Sequence, residues 1–122
     1  MSQWIKRIQD HAIFKELIDL EQIIESSSAA AQADSTSFEA WVRVVRVVQF
    51  VRTFLSVIDP LLVPPSHLSN SVAQLQQARA QLNNFSSNKN IAHLIEANNH
   101  IDNVLGYLGS IPRLNALATT EE

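Results

Sequence analysis

The chain has no cysteine and only two glycines and four prolines among its 122 residues. Lack of cysteine removes disulfides, thiolate metal sites and thiol nucleophiles together, and it fits a reducing compartment, so a cytoplasmic location is expected. Scarcity of glycine and proline argues against an all-β domain, which needs a turn residue about every ten positions. Charge is scarce too: 17 % of residues are charged, the net charge is −3, and no segment has the basic density of a nucleic-acid binder. Nucleic acid is therefore not an expected partner.

Long apolar runs are also missing. The opening Met-Ser-Gln-Trp-Ile-Lys-Arg leads into a charged amphipathic stretch and carries no signal-type apolar segment. The most hydrophobic window, 41–63, contains Arg43, Arg46, Arg52 and Asp59. Each costs about 2.5 to 3.5 kcal/mol at a bilayer centre, against roughly 0.3 to 0.6 gained per apolar residue, so no membrane span is expected.

What remains is rich in Ala, Leu, Gln and Glu, and its apolar residues recur at helical spacing. A first helix is expected over about 2–27, with Ser2 as N-cap and Trp4, Ile5, Ile8, Ala12, Ile13, Leu17, Leu20 and Ile24 along one side. The tract Ser26-Ser27-Ser28-Ala29-Ala30-Ala31 both weakens and restores helix, which leaves 26–36 open between helix and loop. If it stays helical, the first helix lengthens and gains reach toward another copy.

Thr36 with Glu39 three residues on reads as a capping box for a second helix over about 37–59. Its valines, Val44, Val45, Val47, Val48 and Val51, suit a strand, but Glu39, Arg43, Arg46, Gln49, Thr53, Ser56 and Asp59 recur every three or four residues. That is a polar stripe on a helix. Everything outside it is apolar, including Phe38, Trp41, Phe50 and Phe54, so this helix is expected to be enclosed on most of its circumference. Pro60 ends it, and Leu61 to Pro65 reads as an extended connection.

A third helix is expected over about 67–85, with a seam of Leu68, Val72, Leu75, Ala78, Leu82 and Phe85, and a turn through Asn90. A fourth, over about 90–109, carries Ile91, Leu94, Ile95, Asn98, Ile101, Val104, Leu105 and Leu108, with Gly109 as its cap. Short connections make an antiparallel four-helix bundle in up-down-up-down order the simplest all-α architecture. One domain over 1–112 is expected, with 113–122 as a tail or the start of a linker to a further region.

Chemistry has few addresses here. No nucleophile elbow, phosphate-binding glycine loop or His-Glu-x-x-His motif occurs. His93, Glu96 and His100 share a side of the last helix and form the one metal candidate, but zinc takes about three or four protein ligands, normally from more than one element. No metal or cofactor is assigned. Asn98 falls within an apolar stripe, where a buried asparagine sets register or oligomeric state; at the core margin it has no such role. Arg43, Arg46 and Arg52 either form a contact surface or pair with the acidic first helix through Asp10, Glu16, Asp19 or Glu21. Trp4 anchors an interface if exposed and closes a bundle end if buried. Asn84-Phe85-Ser86 is formally a glycosylation sequon, read as chance in a chain without a secretion signal.

The expected function is a non-enzymatic helical interaction or oligomerisation module, the N-terminal part of a larger intracellular protein. Its partner is another protein or a second copy, most simply as a dimer. The alternative is a ligand- or metal-binding, enzyme-like domain using the His93, Glu96 and His100 face.

Overall fold

The computed structural model describes residues 12–58 and 63–109. Among them the elements are all helical: α1 Ala12–Ser26, α2 Ser28–Ala31, α3 Ser35–Val57, α4 Pro65–Asn88 and α5 Ile91–Gly109. None of these helices is long and apolar enough to cross a membrane. Trp4, the Ser2 cap and Pro60 lie outside the described residues, as does the proposed tail at 113–122.

Each long helix buries a row at alternating steps of three and four. The rows are Ile13, Leu17, Leu20 and Ile24 on α1; Val44, Val48, Val51 and Leu55 on α3, with Val47 buried beside them; Leu68, Ser71, Leu75, Ala78, Leu82 and Phe85 on α4; and Leu94, Ala97, Ile101, Val104 and Leu108 on α5. They merge into one core. Burying such side chains is worth roughly 1.5 to 3 kcal/mol each, and this offsets the χ1 restriction that the α3 valines suffer in a helix.

The ends differ from the sequence reading in four places. First, α1 ends at Ser26, one residue before the expected end, with the Ser27 hydroxyl donating to the Ile24 carbonyl at 2.7 Å, and within the tract left open between helix and loop α2 adds one more helical turn. Second, α3 is capped by Asp34, not Thr36: the Asp34 carboxylate accepts from the Ser37 N–H at 2.8 Å and from its hydroxyl at 3.1 Å. A charged carboxylate outcompetes the neutral hydroxyl for the orphan N–H groups.

Third, α4 begins at Pro65, whose missing N–H costs nothing in a first turn. Fourth, α4 continues through Asn88 and ends on Lys89 in the left-handed region (φ 59°), with the Lys89 N–H donating to the Phe85 carbonyl at 2.7 Å. Asn90 then caps α5 through its side chain, which accepts from the Ala92 N–H at 3.0 Å. The link between α4 and α5 is thus much shorter than the turn expected from Phe85 to Asn90.

Packing follows the buried rows. α4 lies on α5 and on α1, and α3 lies on α5 and more lightly on α1 with α2, while α3 and α4, consecutive in the chain, barely touch. The α4–α5 pair is antiparallel, since Gln81 meets His93, Gln74 meets His100 and His67 meets the Tyr107 carbonyl, one heptad apart on each helix. α1 and α3 also run oppositely: the Trp41 indole N–H donates to the Ile24 carbonyl at 3.0 Å, and Arg52 reaches back to Glu21.

Candidate interaction face

α3 is less enclosed than its apolar content implies. Its core side is sealed, but Phe50 is 61 % exposed, Val57 45 % and Phe38 40 %. The reason lies in helical register. Arg43, Arg46, Phe50, Thr53 and Val57 follow one another at steps of three and four, so Phe50 and Val57 stand in the polar stripe, on the side away from α5 and the core. The spacing that marks Arg46 and Thr53 as outward marks Phe50 as outward too. Its apolar character outweighed its position in the sequence reading, and that signal was available.

The three arginines separate. Arg52 makes a two-pronged pair with Glu21, Nε to Oε2 at 2.7 Å and Nη2 to Oε1 at 2.5 Å, and its guanidinium lies 5.4 Å from the Phe14 ring centre. The hydrogen bond that Arg52 donates to Glu21 raises the Arg52 pKa further above its ordinary value. Arg52 thus belongs to the α1–α3 seam. Arg43 and Arg46 are exposed and make no ion pair among the described residues. Glu16 and Asp19 of α1 are engaged instead by Arg79 of α4, whose Nη1 lies 3.3 Å from Glu16 and 3.1 Å from Asp19.

Two shallow depressions flank the uncovered arginines. One, of about 360 Å³, is lined by Phe38, Glu39, Val42, Arg43 and Arg46; the other, of about 340 Å³, by Arg46, Gln49, Phe50 and Thr53. Along the opposite flank of α3 runs a more apolar groove of about 310 Å³, with Ile24, Trp41, Val45 and Val48 in its walls and Glu21 and Glu25 among its polar residues. Trp41 is half-buried there, stacked on Phe38 at 5.8 Å and hydrogen-bonded to Ile24 and Ser27. It holds α1 and α2 against α3.

The histidine face of α5 is occupied by amides. His93 Nδ1 lies 2.7 Å from Gln81 Oε1, so it carries the proton, and Asn88 then donates to Nε2 at 3.2 Å; His100 Nδ1 sits 2.8 Å from Gln74 Oε1. Glu96 is exposed, and among the described residues no group of three or more His, Cys, Asp or Glu is placed to hold a metal ion. Gln81 and Gln74 of α4 are the partners that the sequence did not disclose. Asn98 is half-buried at the core margin and donates to Asp102 at 3.3 Å, while Ala97 takes the buried position beside it. Ile95, counted with the apolar side, is 52 % exposed, because the buried row of α5 passes through Leu94 and Ala97. No family model, curated protein or solved structure matches the chain.

Proposed function

We propose that the chain is a non-enzymatic protein-interaction module whose docking surface is the outward face of α3. The observation that carries this reading is Phe50, an aromatic side chain left 61 % in water on a helix, next to Arg43 and Arg46, which have no acidic partner among the described residues. Aromatic and arginine side chains are the usual anchors of binding surfaces, because they desolvate a large area at low conformational cost. Such a face suits an acidic, amphipathic segment, with apolar residues over Phe50 and Val57 and carboxylates reaching Arg43 and Arg46. The scaffold in this reading is an up-down-up-down bundle of the four long helices in a cytoplasmic protein. Nothing in the reading calls for a metal, a cofactor or a catalytic group.

A phage-displayed library of helical peptides, panned on the intact chain, tests the assignment. Enriched peptides are expected to be acidic and amphipathic, and to lose at least about tenfold in affinity, or 1.4 kcal/mol, on Phe50→Ala or Arg46→Glu. Peptides that bind the wild type and both variants equally would place the docking surface elsewhere.

A further inference from the structure

We infer that one occupant of this face is a second copy of the chain, docked reciprocally, with the Arg46 and Phe50 ridge of each copy seated in the α1–α3 groove of the other. The inference rests on the reading of α3 as an interaction surface and supplies the partner. Its basis is that the molecule carries two unsatisfied surfaces of opposite character side by side. The ridge offers uncovered cations and an exposed ring. The groove offers apolar walls from Ile24, Trp41, Val45 and Val48, and at its rim Glu25, which makes no ion pair among the described residues.

Room is adequate. A cavity of roughly 150 Å³ accepts a benzene ring, so a groove of about 310 Å³ takes the Phe50 ring with part of an arginine stem. Within one chain the two surfaces share Gln49 at their edge, but the ridge cannot turn into its own groove. Successive helical residues turn by about 100°, which aims Arg46 about 100° around α3 from Val45 of the groove. Only another molecule joins them.

The register of α1 on α3 selects the symmetry. Glu25 lines the same groove as Trp41, Val45 and Val48, which sets it level with the stretch of α3 that holds Arg43 and Arg46. A two-fold axis running along α3 sets two such helices side by side and parallel, with every residue level with its own copy. Each arginine pair then faces the other molecule's Glu25, and each ridge lies over the other's groove, as a self-complementary interface requires. An antiparallel pairing instead puts ridge against ridge and crowds the arginines of both copies together.

Between the two α3 helices the seam is Phe38, Val42, Val45 and Gln49, spaced four, three and four. That is coiled-coil spacing, and Gln49 at a seam position fixes alignment as polar seam residues do. Twenty-three residues of α3 make a strip ~35 Å long. With the 15 residues of α1 alongside, a strip ~22 Å long, two helices ~10 Å apart present on the order of 600 Å² per copy, below the ~800 Å² of a standard stable interface. The pairing is therefore expected to be reversible and concentration-dependent.

Sedimentation velocity on the intact chain from micromolar to millimolar concentration tests it, with circular dichroism showing that each variant keeps its helices. Wild type is expected to move from monomer to dimer. Arg46→Glu and Glu25→Arg should each weaken the dimer at least about tenfold, whereas an equimolar mixture of the two variants should recover it, because the mixed pair holds one native and one inverted ion pair. A wild type that stays monomeric at millimolar concentration, or a mixture no more associated than its components, overturns the inference. In either event Phe50-dependent peptide binding would leave the α3 docking surface standing, and its absence would remove that reading separately.

Discussion

Asp34 shows how much a single side chain settles in this fold. Its carboxylate, exposed to solvent, takes the Ser37 N–H and hydroxyl, and the backbone hydrogen bond is the main reason its pKa lies below the ordinary aspartate value; slight desolvation opposes that shift. The sign follows from linkage. A carboxylate whose folded pKa is depressed stabilises the fold fully above its unfolded pKa, and that contribution disappears as pH falls through the folded value. Asp34→Ala should lower the melting temperature by a few degrees at neutral pH, as loss of a cap does. The gap from wild type should start to narrow as pH falls past the ordinary aspartate value and close only below the lower folded value, where the native cap is protonated as well. Thermal melts of both proteins at neutral and acid pH check this, and a gap that stays constant would show that Asp34 does not act through its charge.

Among elements, α5 combines a regular buried row with a glycine that the fold does not use. A Cβ built on Gly106 meets no atom within 4 Å, and the residue has no positive φ. Glycine within a helix costs roughly 0.5 to 1 kcal/mol relative to alanine, so Gly106→Ala should stabilise the chain by about that amount in urea unfolding. Unchanged or reduced stability would mean that the face around Gly106 is covered. The rows of Leu94, Ile101, Val104 and Leu108 and of Leu75, Ala78 and Leu82 were legible in the sequence, because a period near 3.6 leaves a pattern that needs no tertiary information. Element ends were less so. Asp34 against Thr36, and Lys89 as a left-handed cap without glycine, are decided by competition among nearby polar groups, to which a pattern of apolar residues is blind.

At the scale of the molecule, sequence periodicity indicates which face of a helix turns inward but not how many neighbours it meets. α3 has more apolar surface than its neighbours α5 and α1 cover, and the excess falls on Phe38, Phe50 and Val57. For the same reason the glutamine partners of His93 and His100 were hidden, since only the α4–α5 register brings Gln81 and Gln74 opposite them. Arg52 and Arg79 tie α1 to α3 and α4, which leaves Arg43 and Arg46 as the cations of α3 with no ion pair among the described residues. The account therefore turns on the outward side of α3 being open to solvent in the single chain. A chain with no native cysteine permits a direct test: place one thiol at a time by Phe50→Cys or Val51→Cys and follow its reaction with a disulfide reagent in dilute solution. Position 50 should react as fast as a free thiol of similar pKa. Position 51, fully buried one residue further on, should be slowed at least about a hundredfold, because it reacts only through opening of the core. Equal protection at both positions would mean that α3 is covered all round within the chain, and the proposed docking surface would not exist.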